Sequence, residues 1–251
     1  MPRLLLKDEE WSKLRVIMLD QGIYDKANLR MTVEGILYKL RVGCPWRDVP
    51  QEFGYWNSIF KRFSSWSVKG KLSKIFKSVS NKSDHEWTFL DGSIVKAHQH
   101  SSGARKEAET AIGKSVAGNT SKIHLAVDSM GLPIHFEITG GEVHDSKIAP
   151  ELRELTIHKD CDYYIADRGY DSETLRRKIR QLGSGPVIPR KRNSKIGNDD
   201  IDWCLYKYRH LVENAFARLK HFRSIATRYE KLKVNYAGMV SLGCMLMWLP
   251  M

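Results

Sequence analysis

"EWTFLDGSIV", residues 86–95, admits two readings. Asp91-Gly92 between two apolar runs is the usual signal of a short hairpin, and on that reading Asp91 is a turn residue. Read straight through, the segment is one apolar strand with a carboxylate at its centre. The Asp-Gly pair taken alone favours the turn, although the segment as a whole reads as a strand. "KIHLAVD" and "LPIHFEIT" alternate as strands around the turn "DSMG", and "DYYIA" is a further short strand. "SETLRRKIRQLG" follows as a helix ended by Gly183, then "GPVIPR" as a strand and residues 203–222 as a long helix. Strand, hairpin, strand, helix, strand, helix predicts a mixed α/β domain around a central sheet.

Residues 8–80 have a different pattern and read as helical. "DEEWSKLRVIML" carries a helical apolar stripe with acids in its first turn. "MTVEGILYKL" forms a second helix, with Thr32 as its cap and Gly43 as its end, and "WRDVPQEF" a short third one. After Gly54, "YWNSIFKRFSSW" places Trp56, Ile59, Phe60 and Phe63 at i, i+3, i+4, i+7. Asn57, Ser58, Lys61, Arg62 and Ser65 are left facing outward. Short helices, a turn, then a helix with aromatics inside and basic or amide groups outside give a helix-turn-helix pattern. From Phe53 to Ser83 there are seven Lys or Arg and no acid. A solvated helical face gives the same local pattern, and the acid-free run favours nucleic acid. The polar join "SVSNKSD" divides the chain into a small all-α domain, 1–80, and an α/β domain, 81–251.

Lys and Arg number 41 against 29 Asp and Glu in 251 residues, a formal charge of +12, which suits a polyanionic partner. A membrane role is disfavoured. The start carries only three consecutive leucines, and the apolar C-terminal run "GMVSLGCMLMWLP" is shorter than the roughly 20 residues of a spanning helix. Cys44, Cys161, Cys204 and Cys244 are scattered and form no CxxC pair, so reduced thiols in a cytoplasmic, DNA-associated protein are expected.

Asp167 closes the strand "DYYIA" at its carboxyl end, where open α/β sheets place ligands; a loop or helix cap is the plainer reading. In "YKYRHLVENAFARLK", residues 206–220, helical geometry of about 100° per residue puts Tyr206, Arg209, Glu213 and Lys220 on one stripe roughly 60° wide. That stripe borders the apolar face of Leu205, Val212, Phe216 and Leu219. An i, i+4 salt bridge explains Arg209 beside Glu213, but not the phenol and the second cation. Asp, Asp and Glu are hard oxygen donors suited to Mg²⁺, and paired metal ions on such acids serve phosphodiester cleavage. Asp128 reads as a surface turn residue, Asp171 as a cap for helix 173–182, and His98 and His100 as DNA-proximal at most. "PRKRNSK", residues 189–195, is a basic loop.

Tyr206, Arg209, Glu213 and Lys220 match Y-x2-R-x3-E-x6-K at every spacing. This resembles the signature of bacterial insertion-sequence transposases of the DDE type, in the grouping that includes the insertion sequence five family. "FLDGSIVKAHQHSSGARK" is similar to that family's first-aspartate segment and "YYIADRGYDS" to its second, while residues 35–66 resemble its DNA-binding region. The resemblance implies an RNase H-like catalytic domain behind a helix-turn-helix domain. It implies Asp91, Asp167 and Glu213 as a catalytic triad holding two Mg²⁺ or Mn²⁺ ions, with Tyr206, Arg209 and Lys220 on DNA near the scissile phosphate. The implied activity is binding of terminal inverted repeats, cleavage at the element ends and joining of the freed 3′-hydroxyls to target DNA, with double-stranded DNA as partner and a homodimer as synaptic complex. A catalytically silent DNA-binding or repressor protein is the alternative. Asn57, Lys61 and Arg62, on the outer face of the presumed recognition helix, are the expected base or phosphate contacts.

Overall fold

The structure is a computed structural model, and it describes residues 2–101, 103, 109–145, 147–148 and 161–250. The chain forms two compact units. One comprises Met1–Asn81, Val95–Ala111 and Leu219–Met251, the other Lys82–Ile94 and Ile112–Arg218.

In the first unit, α1 (Asp8–Asp20), α2 (Leu29–Val42), α3 (Trp56–Val68) and α4 (Lys71–Val79) are the expected helices. Several details differ from the sequence reading. α2 begins earlier, with Asn28 as N-cap, so Thr32 lies inside the helix, buried, and donates its hydroxyl to the Asn28 carbonyl at 3.0 Å. "WRDVPQEF" forms two 3₁₀ turns, Trp46–Asp48 and Gln51–Phe53, because Pro50 removes the amide that a continuous helix needs. α3 buries Ile59 and Phe63, while Trp56 and Phe60 stay half-exposed. A two-residue turn, Lys69-Gly70, joins α3 to α4.

Residues 219–251 belong to this helical unit, and their long helix packs on α3 and α4. That helix, Lys233–Trp248, is apolar nearly all round and buries residues from Asn235 to Trp248, and a helix without a polar face must be enclosed. Gly238 and Gly243 admit close neighbours: a Cβ on Gly243 would lie 2.6 Å from Ile225 Cδ1. Among the described residues no helix is long and apolar enough to cross a membrane.

The second unit is built on a sheet. β1 (Trp87–Ala97) starts in it, and its last residues run into the helical unit, where Lys96 and Ala97 pair with β7 (Thr227–Arg228). The other strands are β2 (Gly113–Ser115), β3 (Gly118–Val127), β4 (Pro133–Gly140), β5 (Tyr163–Ala166) and β6 (Gly185–Val187), in the order β2-β3-β1-β5-β6, with β4 beside β3. β2 has no counterpart in the sequence reading; at three residues it is too short to show an alternation. β3 and β4 are an antiparallel hairpin, whereas β5 pairs parallel to both β1 and β6. A mixed sheet with its first strand central and the hairpin to one side is the RNase H-like arrangement expected. Thr88, Phe89 and Leu90 are buried in succession, as on a strand covered on both faces. α5 (Glu173–Gln181) follows β5, and Gly183 beyond it has φ 84°.

The predicted helix 203–222 comes in three pieces: α6 (Trp203–Tyr206), a 3₁₀ turn Lys207–Arg209, and α7 (His210–Lys220). α8 (Arg223–Ala226) and the buried C-terminal helix, α9, complete the chain. All four cysteines are free thiols.

Gly43 ends α2 at φ 73°, and a Cβ there would lie 2.9 Å from Arg223 Cβ; Gly70, at φ 66°, faces open space. Gly70→Ala is expected to cost about 1 kcal/mol, for left-handed strain alone. Gly43→Ala adds a side-chain collision and is expected to cost visibly more, about 2 kcal/mol or above. Denaturant unfolding of both variants measures the difference.

Candidate active site

Asp91 lies within β1, not in a turn: the strand runs unbroken from Trp87 to Ala97, so the hairpin reading of Asp91-Gly92 does not hold. The parallel register pairs Leu90 with Ala166. The next residue on each strand is an aspartate, so register alone brings Asp91 and Asp167 to the same end of adjacent strands. Asp167 follows β5 and caps the turn Arg168–Tyr170, accepting the Gly169 amide at 2.7 Å, while Asp91 accepts the Gly92 amide at 2.8 Å.

Arg209 supplies the link to the third acid. Its guanidinium lies 3.2 Å from the Asp91 carboxylate and also ion-pairs with Glu213. Glu213 sits in the first turn of α7, whose buried residues Val212, Ala215 and Phe216 fix the helix. The Tyr206 ring stands 6.0 Å from the same guanidinium. Tyr206, Arg209 and Glu213 thus come together as the spacing predicts, although a 3₁₀ turn replaces the ideal helix between them. Lys220 is exposed, on the part of α7 that belongs to the helical unit.

A further carboxylate, absent from the sequence reading, occupies this centre. Asp145 meets Lys122 at 2.7 Å and His124 Nδ1 at 3.2 Å. Lys122 and His124 are two apart on β3 and so share a face. The buried His124 gives its other nitrogen to Thr139 Oγ1 at 3.0 Å, and the Tyr170 hydroxyl stands 3.5 Å from Nδ1. A Cβ on Gly92 would be 2.5 Å from Asp145 Oδ1, and one on Gly169 would be 2.9 Å from Asp167 Oδ1 and 3.1 Å from Asp145 Oδ2. The available signal was "EVHDSK", an acid just beyond a strand, with a lysine and a histidine alternating on the strand's hairpin partner.

These charges act on one another. Burial pushes the Asp91 carboxyl up to about 6; the Gly92 amide and Arg209 oppose the rise, and Asp167 and Asp145 add to it. Burial would also raise Asp145, but His124 and Lys122 together hold it below the usual carboxylate range. Arg209, disfavoured by burial, is nevertheless raised by Asp91 and Glu213. Among the described residues, no three acid, histidine or cysteine side chains already stand close enough to hold a metal ion. Glu213 is instead turned onto Arg209.

Other expectations are corrected. Asp128 is fully buried, not a surface residue, and accepts the amides of Leu132, Met130 and Asp84. Asp171 does not cap α5, whose N-cap is Ser172. It pairs with Arg176 at 2.8 Å and accepts the Lys191 amide at 2.8 Å. Within "PRKRNSK", Arg190 is tied to Asp200, and Lys191–Ser194 are exposed. In the helical unit Lys61 is exposed and Asn57 half-buried. Arg62 does not project freely: it donates to Asn28 Oδ1 at 3.1 Å and to Thr32 Oγ1. His98 and His100 pack edge-on at 4.8 Å, His98 lies 4.8 Å from the Tyr229 ring, and all three line a cavity of about 650 Å³ with Lys39 and Trp46. Ser102 and residues 104–106 of the first-aspartate segment lie outside the described residues.

Comparison with known proteins identifies the family. Residues 82–248 match the family model "Transposase DDE domain", and residues 6–76 match "Putative transposase of IS4/5 family". The chain belongs to the DDE transposase family. It is 36% identical over 130 residues to a putative transposase for insertion sequence element IS6501 from Brucella ovis, covering 52% of this chain and 98% of that one. It is 36% identical over 135 residues to a putative transposase for element IS402 from Burkholderia cepacia, covering 50% and 61%. Among solved structures it aligns with a piggyBac transposase synaptic complex (TM-score 0.38, 12% identity, 76% of this chain and 43% of that one). A pre-cleavage Mos1 transpososome aligns at TM-score 0.30 and 9% identity, over 91% and 80%.

The raised Asp91 has a consequence for stability. The unfolded carboxyl ionises near 4 and the folded one near 6, so stability present at low pH is lost as pH rises through that window. The loss is on the order of 2–3 kcal/mol. Asp91→Asn is expected to flatten the stability of the metal-free protein between pH 4 and 7, read by denaturant unfolding at each pH. Asp128→Ala, which orphans backbone amides, is expected to destabilise by about 2 kcal/mol or more throughout.

Proposed function

We propose that this DDE transposase binds the terminal inverted repeats of its insertion sequence, cleaves at the element ends and joins the freed 3′-hydroxyls to target DNA. Asp91, Asp167 and Glu213 are its catalytic acids. The observation that carries this reading is Arg209: one guanidinium ties the acid in β1 to the acid in α7, beside the acid that ends β5. The acids come from three separate segments, so neither a turn nor a single helical salt bridge accounts for them together.

The residues suit divalent cations. All three are hard oxygen donors, and the parallel register sets Asp91 and Asp167 at the same end of adjacent strands. When bound there, Mg²⁺ or Mn²⁺ ions supply Lewis acidity to activate the attacking oxygen and stabilise the leaving one. Arg209 neutralises Asp91 and Glu213 in the protein alone. Its planar fork matches a phosphate, so an incoming phosphodiester competes for it and frees the two carboxylates. Tyr206 stacks beside that guanidinium and limits its swing.

Lys220 and, in the helical unit, Lys61 and Asn57 are proposed DNA contacts, with Arg62 holding α3 to the start of α2. Two protomers synapse the element ends. The test uses supercoiled plasmid bearing the element ends, Mg²⁺, and wild type beside Glu213→Gln. Cleaved and joined products are expected from wild type only, with end binding kept by both. If both bind the ends and neither cuts in Mg²⁺ or Mn²⁺, the protein is a binder and not a recombinase. Lys61→Ala is expected to weaken end binding and lower its salt slope by about one unit, read by fluorescence anisotropy.

A further inference from the structure

We infer that Asp145 is a fourth carboxylate of the active centre, a cation ligand in company with Asp91 and Asp167, with Lys122 as the internal cation that occupies it until a divalent ion arrives. The inference rests on the two-cation reading above and extends it to residues that the triad does not include.

The glycines are the first ground. Asp91 is followed by Gly92, and Asp167 is followed two residues on by Gly169; neither glycine has a left-handed φ. Conformational freedom therefore does not call for glycine at either place. Space does: a Cβ on Gly92 would collide with Asp145 Oδ1, and one on Gly169 would collide with Asp167 Oδ1 and crowd Asp145 Oδ2. Two bare backbone positions, each beside a different catalytic acid, admit the two oxygens of one side chain.

The second ground is charge. The parallel register sets Asp91 and Asp167 side by side on adjacent strands, and Asp145 reaches the backbone next to each. Placing three carboxylates there is unfavourable unless cations accompany them. The protein provides Lys122 for Asp145 and Arg209 for Asp91.

The third ground is the kind of partner. Asp145 is held by side chains: Lys122 donates to Oδ2 at 2.7 Å and stands 2.7 Å from Oδ1, with His124 Nδ1 3.2 Å from Oδ1. The structural carboxylate Asp128 is held instead by three backbone amides, which cannot move aside. His124, fixed by Thr139, holds Asp145 in orientation, whereas Lys122 is a flexible ammonium able to swing aside.

The experiment measures Mn²⁺ binding to the full-length protein without DNA, from the loss of the free-ion electron paramagnetic resonance signal. Thermal melting and end binding are recorded in parallel. The variants are Asp145→Asn, Lys122→Met and Gly169→Ala. A ligand and its competing ammonium must act in opposite directions. Asp145→Asn is expected to weaken Mn²⁺ binding at least tenfold, Lys122→Met to tighten it severalfold, and Gly169→Ala to weaken it by displacing the Asp145 and Asp167 oxygens. Wild-type affinity in Asp145→Asn overturns the inference and leaves the triad reading standing. Equal weakening by Asp145→Asn and Lys122→Met, with matching falls in melting temperature, also overturns it and makes the pair a structural salt bridge. If wild type itself takes up no Mn²⁺, the two-cation reading and this one fall together.

Discussion

The parallel pairing of β1 with β5 is the constraint on which the rest depends. Register in a sheet is all or nothing, because a slip by one residue turns every side chain to the other face. With Leu90 opposite Ala166, the two aspartates that follow are adjacent. The buried run Thr88–Leu90 locks that register, since any shift would carry apolar side chains out of the core. Glu213 reaches the same place by another route, from a helix whose apolar face fixes its rotation, and Arg209 joins the two.

The electrostatic character of the centre opposes that of the chain. The protein carries a formal charge of +12, which draws it to a polyanion over long range. At the centre the sign reverses: three aspartates gather, Asp91 answered by Arg209 and Asp145 by Lys122. The long-range positive charge and the acidic centre are thus carried by different residues.

Much of this was legible in the sequence because it is local or periodic. The hairpin β3–β4 shows in its alternation and turn, the helices of residues 8–80 in their apolar stripes, and the order of acids in a motif whose spacing survives even where a 3₁₀ turn replaces an α-turn. What was not legible depends on packing across distance. Asp145 has no pattern of its own; its meaning comes from Lys122, His124 and two glycines far away in sequence. Arg62 has the outward position of a DNA contact, yet bonds to Asn28 and Thr32 on α2. Asp128 stands in a turn, where acids are ordinarily solvated, but here three amides close around it. The C-terminal helix is a further case: its apolar composition states that it must be buried, not what it will be buried against.

That helix has a consequence for how the molecule is made. The helical unit is assembled from the first 81 residues, a short middle stretch and the last 33 residues of the sequence, with α9 lying against α3 and α4. During synthesis the early helices leave the ribosome with their apolar faces uncovered, and they stay so until the sheet and all its acids have been translated. A chain cut short in the sheet therefore lacks the helix that covers α3 and α4. Completion of the two units is coupled by the path of the chain itself.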